Sequence, residues 1–497
     1  MLAGWRNDCG GAAARLSPRR RSRRGTPLAL AVTALVPLAD VAAEPLEPAA
    51  QGDGRATPAA APPVPPSDGY AFNLTGVGRD LGQSLKDRGI YLSSISTFSG
   101  ATIASGGLKK GEYGVFQHTL GTNLDLEPLL GLDNVLVHAT VVKRYGVKNN
   151  RAFHGSNFAG LAIAGPVETT RLAELSVDVS MLDDRLRLLA GRAPSATEYA
   201  TSDLYCSFSA GICGHISPFA WARNSNAGFW PLASWTARAT VKPTPETYVR
   251  FGISDVNTVI YRKPGFPWNG GWSFKDSIGV FVPLEIGYRT SFANDRRPRA
   301  VNIGAFYDSS PYDDPYYNRD GQSFTLAGGQ RAQHKGRSSV YVQAQQMVWR
   351  PDESSRRGVH LFGAALWGVH GIEQTKFHTL VGMVATGPFA ARPNDSFGVM
   401  AFRNVLHRRV RDDYQASLTK TGQTGPIPRS MMLFEVNYSI AAAPGIQIRP
   451  FAQYVARPDQ IGFRPVVASN RHASMLGVQV SASLGDMLGL PSIQRRR

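Results

Sequence analysis

The chain has 497 residues, a net charge of +17 and three cysteines, so it is long enough for two or three ordinary domains or for one large β-barrel. Seven arginines and two aspartates in the first 43 residues account for +5, which leaves +12 for the rest of the chain. Apart from Arg495–Arg497, the later cations are spread singly, and this pattern disfavours a nucleic-acid-binding protein.

The first 43 residues have the three parts of an export signal. The basic cluster Arg19–Arg24 precedes a long apolar run over residues 26–43, and the small residues Val41 and Ala43 lie where a signal peptidase reads the chain. A membrane anchor is the alternative, but a proline and an aspartate interrupt the run. We therefore predict a signal peptide over 1–43, cleaved after Ala43, and an exported protein.

Two further segments precede the first strand. Residues 44–68 are rich in proline and alanine and contain few bulky apolar side chains, which predicts a disordered linker. Residues 69–89 carry apolar residues at helical spacing from Leu74 to Leu85 and end on a glycine. This pattern predicts a short amphipathic helix that ends before a strand near Ile90.

From residue 90 onward the sequence pattern repeats every two residues. In the segments around Val137, Phe251 and Val342, apolar residues alternate with polar ones. In a soluble β-sandwich the apolar face would form the core. In an outer-membrane barrel the apolar face would contact lipid and the polar face would line the lumen.

Three features favour the barrel. The alternating segments are numerous and near the length that crosses a membrane on a tilted strand. No linker divides residues 90–497, which is a long stretch for one sandwich domain. Aromatic residues cluster where the segments end, as in the girdles of membrane barrels. We therefore predict an all-β fold in which a transmembrane antiparallel barrel spans 90–497. The aromatic clusters are Trp230 with Trp235, Trp268 with Trp272, and Tyr312 with Tyr316 and Tyr317.

Two cysteines remain after the leader, Cys206 and Cys213, seven positions apart. In an oxidising compartment this spacing favours a disulfide that closes a loop. A metal site is the alternative, but only His215 lies near enough in sequence to add a ligand.

The sequence shows no catalytic motif such as GxSxG, HExxH, a P-loop or CxxC. The stretch 76–82 only approximates a dinucleotide fingerprint and follows no strand. The acidic stretch 308–321 predicts a polar loop without EF-hand spacing. Its adjacent Asp313 and Asp314 would point to opposite sides of an extended chain, which disfavours a glycosidase pair. We predict no enzymatic activity, no metal and no cofactor.

If the barrel is a pore, the polar faces of the strands supply the candidate solute-contacting residues. Arginine offers five donors in a fixed fork, and glutamine and histidine add donors and acceptors for hydroxyl groups. The two-residue period places these side chains on inward faces: His138, Arg238, Arg250, Gln343, Gln345, Arg449 and Gln453. The candidate aromatic platforms are Trp230, Trp235, Trp268 and Trp272, for which the interfacial girdle is the alternative. Such a basic lumen would favour neutral and anionic solutes over cations.

An ordered series of segments resembles the carbohydrate-selective porins of the OprB type. They are LKDRGIYL (85–92), LGTNLDLEPLLGLDNVLVHATVVKRYG (120–146), LLAGRAPSATEY (188–199), DLYCSFSAGICG (203–214), FWPLASWTAR (229–238), GGWSFKDSIGVFVPLEIGY (270–288) and FEVNYSIAAAPGIQIRPFAQYVARPD (434–459). The resemblance implies a sixteen-stranded barrel in a Gram-negative outer membrane. It implies passive, saturable diffusion of glucose and related monosaccharides or sugar acids. It also implies extracellular loops that fold inward to form an arginine-rich constriction, without a cofactor.

Two other functions remain as alternatives. One is a general-diffusion or polysaccharide-export barrel, and the other is a secreted β-rich carbohydrate-active protein. The expected partners are sugars as translocated solutes and outer-membrane lipid, and the sequence is compatible with a monomer or a homotrimer. The closing strand is predicted over 473–484, with a tail beyond it.

Overall fold

The computed structural model describes residues 70, 73–146, 151–156, 161, 169–196, 198–216, 218–262, 271–461 and 466–491. The predicted signal peptide and linker, 1–43 and 44–68, lie outside the described residues. The α-helices are short: α1 Arg79–Asp87, α2 Leu126–Leu130, α3 Arg151–His154, α4 Pro218–Asn224, α5 Val259–Arg262, α6 Phe324–Ala327, α7 Arg408–Lys420 and α8 Leu484–Leu488. Two 3-10 helices span Asp203–Ser207 and Phe274–Asp276. In the part of the chain described above, no helix is both long enough and apolar enough to cross a membrane.

Sixteen antiparallel strands close into one barrel, which confirms the predicted fold class. Each strand pairs with its neighbour in the chain, and the last strand returns to pair with the first. The strands are β1 Ile90–Gly106, β2 Glu112–Asp125, β3 Val135–Gly146, β4 Thr169–Met181, β5 Leu186–Ala193, β6 Ser234–Val241, β7 Thr247–Val256, β8 Gly279–Arg289, β9 Arg299–Asn318, β10 Arg331–Trp349, β11 Gly358–His370, β12 Thr375–Thr386, β13 Ser396–Leu406, β14 Ser430–Ala443, β15 Ile446–Ala456 and β16 His472–Ser483.

The connections at the two ends of the barrel differ in length. Turns such as 182–185, 242–246 and 444–445 close one end, where α1 and α8 also meet. The other end carries long connections, including 194–233 and 407–429. Membrane barrels place short turns on the periplasmic side and long loops on the extracellular side. We orient this barrel in the same way.

The outward face of the barrel is apolar, as the alternation predicted. On β7 and β9, Phe251 and Ile303 are 49% and 61% exposed, whereas the inward neighbours Arg250 and Asn302 are 6% and 5% exposed. The two-residue period of a strand separates the side chains in this way. An exposed apolar surface that continues from strand to strand is unfavourable in water, so it marks the lipid-facing belt.

The hydrophobic core lies inside the barrel. Trp221, from the connection between β5 and β6, packs its ring 4.4 Å from Phe306 of β9 and 5.8 Å from Tyr341 of β10. Phe208, from the same connection, lies 5.7 Å from the ring of Phe362 on β11. The predicted polar inward face is therefore interrupted on this wall, because a connection that folds inward needs apolar side chains to pack against.

The acidic segment 308–321 corrects the prediction of a polar loop. It continues β9 to Asn318 and pairs with β10, with two shifts in register. These shifts accommodate prolines that would otherwise interrupt a regular strand ladder. Two of its acidic side chains contact the partner strand, since Asp308 lies 3.1 Å from Arg337 and Asp314 lies 2.8 Å from His334.

Candidate functional site in the barrel lumen

Residues 194–233 connect β5 to β6, and we term this connection the inner segment; its described residues, 194–196, 198–216 and 218–233, fold into the lumen. Two carboxylates of the barrel wall accept hydrogen bonds from the backbone of the inner segment. The Ala200 N–H donates to Glu285 at 2.8 Å, and the N–H groups of Ser209 and Ala210 donate to Glu435 at 2.7 and 2.8 Å. Because Glu285 is on β8 and Glu435 is on β14, the inner segment is anchored at two separate places on the wall.

Neutral side chains of the wall add further contacts to the inner segment. Gln343 of β10 donates to the Thr201 carbonyl at 2.6 Å and accepts from the Tyr205 hydroxyl at 3.0 Å. Asn437 of β14 donates to the Ser207 carbonyl at 3.0 Å. Buried backbone groups need such partners. Since these partners come from strands between β8 and β14, the inner segment narrows the lumen on that side.

A disulfide closes the loop of the inner segment that carries the Glu435 anchor. Cys206 and Cys213 are joined, and their Cα atoms are 4.1 Å apart. Tyr205 and Phe208, next to Cys206, are buried and pack edge-on against Phe362 of the wall. The crosslink limits the conformations open to this loop when it is released from the wall.

The arginines that the sequence singled out lie beside the point where the inner segment enters the lumen. Arg238 of β6 and Arg250 of β7 face inward and are buried. Between them lies Glu198 of the inner segment, 3.0 Å from Arg238 Nη2 and 3.8 Å from Arg250 Nε. Arg250 Nη1 also lies 3.4 Å from Glu285. The two arginines therefore belong to one ion-pair cluster with carboxylates.

A second polar cluster extends across β2 to β5. His138 of β3 places Nδ1 2.6 Å from the Asn123 side-chain oxygen and Nε2 3.6 Å from Asp178. Arg187 of β5 donates through Nε to both oxygens of Asp178, at 2.8 and 2.7 Å. His138 thus faces inward within a chain of contacts between protein side chains.

The remaining polar candidates are distributed around the lumen. Gln345 of β10 accepts a hydrogen bond from the Ser202 hydroxyl of the inner segment. Gln453 of β15 donates to Glu435 at 2.9 Å and so supports that anchor. Arg449, also on β15, is buried, and its Nε and Nη1 have no hydrogen-bond partner among the described residues.

The four candidate tryptophans have different positions, and Trp268 lies outside the described residues. Trp230 belongs to the inner segment and is half-buried. Trp235 alternates with the buried inward residues of β6, so its ring is on the outer side, where it donates to the Trp272 carbonyl at 3.0 Å and stacks 5.9 Å from Phe274. This position corrects the interpretation of Trp235 as pore-lining, because an outward ring belongs to the interfacial girdle.

On the side of the inner segment that faces the short turns, the lumen contains a cavity of about 400 Å³. Its lining includes Glu198 and Arg250 from the ion-pair cluster, Tyr248 of β7, and the turn residues Glu246 and Asn294. Among them, Glu198, Arg250 and Tyr248 offer both donors and acceptors to a polar solute. Among the described residues, no group of three or more His, Cys, Asp and Glu side chains is placed to hold a metal ion.

Sequence reasoning missed the three carboxylates that organise the lumen. Glu285 and Glu435 occupy inward positions in the alternating segments FVPLEIGY and FEVNYS, so the two-residue period could have identified them. Glu198 lies in a connection without periodicity, and no sequence pattern marks it. Its role follows only from the path of the inner segment.

The model of the family described as carbohydrate-selective porin, OprB family, matches residues 116–484. The chain belongs to this family. Porin B of Pseudomonas aeruginosa is 25% identical over 372 residues, which cover 70% of this chain and 78% of that protein. A high-pH structure of Pseudomonas putida OprB matches with a TM-score of 0.73 and 22% identity, covering 84% of this chain and 99% of the other. A low-pH structure of the same protein matches with a TM-score of 0.51 and 17% identity, covering 84% and 100%.

Membership in the OprB family explains the architecture described above. The solved OprB structures share the fold, and the family is one of porins that pass carbohydrates. The protein is therefore a sugar porin of the Gram-negative outer membrane, a channel rather than an enzyme, and the lumen is its passage.

Proposed function

We propose that this OprB-family porin admits monosaccharides and retards larger solutes at the gap beside the inner segment. The observation that carries the proposal is the anchoring of the inner segment by Glu285 and Glu435. Together with the Cys206–Cys213 disulfide, these contacts hold the peptide across part of the lumen. A fixed constriction can select solutes by size and hydrogen bonding, because its geometry does not widen to fit each one.

The polar side chains around the gap supply hydrogen bonds that replace water on a passing sugar. The proposed contact residues are His138, Arg238, Arg250, Gln343, Gln345, Arg449 and Gln453, with Trp230 as the aromatic surface. Most of these side chains already have protein partners, so a sugar would share donors and acceptors with them. Such sharing favours weak binding, which a channel needs in order to release its solute.

We also propose that residues 1–43 direct export and are removed after Ala43. The basic cluster, the apolar run and the small residues before Glu44 support this. N-terminal sequencing of the protein purified from outer membranes should read from Glu44, and a sequence that begins within the leader would contradict it. Each barrel encloses its own lumen, so the proposed passage is the same for a monomer and a homotrimer.

Liposome swelling with the detergent-purified protein tests the proposed function. The solutes are glucose, gluconate, a disaccharide and an amino acid of similar size to glucose, and empty liposomes are the control. We expect glucose to enter faster than the amino acid and the disaccharide to enter slowly. Rates ordered only by size would indicate a general-diffusion pore. No swelling from a folded, heat-modifiable barrel would indicate export of a polymer instead.

A further inference from the structure

Three consecutive strands present arginine side chains to one part of the lumen. Arg187 of β5, Arg238 of β6 and Arg250 of β7 are all buried. Arg187 pairs with Asp178 of the adjacent strand β4. Arg238 and Arg250 instead face Glu198, which comes from the inner segment and not from the wall. The net charge of this part of the pore therefore depends on Glu198, which reaches the arginines because the inner segment folds into the lumen.

The backbone at Glu198 is held in a conformation that few residues with a Cβ adopt. Glu198 and Ala200 have φ angles of 81° and 52°, in the left-handed region. Arg250 Nη1 donates to the Glu198 carbonyl, and the Ala200 N–H donates to Glu285. Strained positions of this kind persist only where surrounding contacts over-determine them, and they are frequent at functional sites. Here the contacts keep the Glu198 carboxylate between the two guanidinium groups.

We propose that Arg238 and Arg250 form a carboxylate-binding site in the pore and that the protein's own Glu198 occupies it. A sugar acid has to displace Glu198 to pair with these arginines, whereas a neutral sugar passes without that displacement. Glu198 is thus a specificity-determining residue that makes the pore favour neutral sugars over their acids. This inference rests on the proposed function and names the solute class that the cluster disfavours.

The chemistry of the groups supports an internal occupant. A guanidinium group pairs with a carboxylate through parallel hydrogen bonds, which is the arrangement that a sugar acid would require. Glu198 is tethered to the pore, so its effective concentration at the arginines exceeds that of a dilute solute. The three arginines are matched by three carboxylates, since Glu285 lies next to Arg250 and Asp178 next to Arg187. The balanced cluster has little of the anion-attracting field that unpaired arginines would produce.

Glu198 and Arg250 also lie in the path of a solute. Glu198 and Arg250 both line the cavity of about 400 Å³ on the periplasmic side of the inner segment. A solute that enters this cavity meets the carboxylate and the guanidinium together. Glu246 lines the same cavity from the turn between β6 and β7, where it accepts from the Asn294 side chain at 3.0 Å. Glu246 therefore provides a control of equal charge in the same space.

The test compares Glu198→Gln with the matched control Glu246→Gln in the full-length, detergent-purified protein. Planar bilayers under a KCl gradient report the reversal potential, and liposome swelling reports the ratio of gluconate to glucose entry. We expect Glu198→Gln to shift the reversal potential toward anions and to raise the gluconate-to-glucose ratio roughly threefold to tenfold, because two guanidinium groups lose their counter-charge. Glu246→Gln should change both readouts far less.

If Glu198→Gln also loosens the inner segment, that variant by itself does not isolate the effect of the charge. A double-mutant cycle with Arg238→Gln then supplies the test. The double variant should return toward the wild-type reversal potential, because it removes one charge of each sign. An absence of any shift in Glu198→Gln, equal shifts in Glu198→Gln and Glu246→Gln, or a double variant that keeps the full shift of Glu198→Gln would each overturn the assignment. Failure of wild-type protein to pass glucose would refute the proposed function alone, because reversal potentials test the Glu198 assignment with KCl.

Discussion

Replacing Glu435 by alanine should release the inner segment from β14 and widen the pore. The buried Glu435 carboxylate accepts from the N–H groups of Ser209 and Ala210 and from the amides of Asn437 and Gln453. A hydrogen bond to a charged group contributes about 1.5–3 kcal/mol. Loss of the two backbone bonds should therefore weaken the anchored state by roughly 3–6 kcal/mol, with each donor left without its partner.

The lost free energy should release the inner segment from the wall and should leave the barrel itself folded. The ladders that join β14 to β13 and β15 do not depend on the Glu435 side chain. We expect Glu435→Ala to admit a disaccharide faster in swelling assays and to show a larger, noisier single-channel conductance. Glu435→Gln retains one acceptor oxygen and should be intermediate. Glu353→Ala, in an exposed turn where the carboxylate pairs with Arg296, is the control and should behave as wild type.

The reasoning would be refuted by a Glu435→Ala barrel that migrates normally before and after boiling and yet excludes the disaccharide as well as wild type does. Unchanged conductance in the same preparation would strengthen that refutation. If Glu435→Ala does not fold, heat-modifiable migration will be lost, and the Glu435→Gln variant then carries the test. A glutamine variant with wild-type conductance and wild-type exclusion would count against the anchor.

Three further predictions concern the disulfide, a buried acid and the lipid-facing belt. Replacing Cys206 and Cys213 by serine should destabilise the folded inner segment by roughly 2–3 kcal/mol, the loop-closure free energy of the disulfide. Limited proteolysis should therefore cut the segment faster than in the oxidised wild type. Equal cleavage rates would contradict this prediction. Burial raises the pKa of Glu373, in the turn between β11 and β12, to about 8. The folded state therefore holds a proton that the unfolded state releases near pH 4.5, so stability should be greatest below that pH and fall by roughly 3–5 kcal/mol as the pH rises to about 8. Glu373→Gln should abolish this pH dependence in urea unfolding followed by gel migration, and an unchanged slope would disprove the assignment. Phe251→Arg, on the outward face of β7, should destabilise the barrel by about 2–4 kcal/mol in the same unfolding assay, whereas Phe251→Leu should have little effect; equal stabilities would argue against lipid contact there.

Much of the fold could be predicted because a two-residue period within a short segment indicates a strand. The alternation around Phe251 and Val342 assigned their outward faces correctly, since the side chains of a strand point to alternate sides whatever the rest of the chain does. The same rule failed for the segment that begins at Asp308. There the acidic stretch predicts a polar loop, whereas pairing with β10 extends the strand through shifts in register. Trp235 is an odd number of residues from the inward Arg238, so the same period places its ring on the outer face and not in the lumen.

The organisation of the lumen could be predicted only in part. The inward arginines Arg238 and Arg250 follow from alternation, but their partners do not. Glu198 reaches them from a connection whose course depends on many contacts that are distant in sequence, such as those to Glu285 and Glu435. No local sequence pattern predicts this path, because each anchor is an interaction between two residues and cannot be read from either residue alone.

By itself, the sequence determined the class of barrel, the lipid-facing belt, the start of the first strand, the closing strand and the resemblance to sugar porins, because these depend on composition and on patterns within one strand. Only the tertiary structure decided how the inner segment crosses the lumen, which wall becomes apolar and which arginines are neutralised. The physical reason is that a closed barrel fixes where its inward side chains lie, whereas a connection inside it settles wherever buried polar groups and apolar rings find partners. The ion pairs that Arg238 and Arg250 make with Glu198 therefore form only in the folded chain.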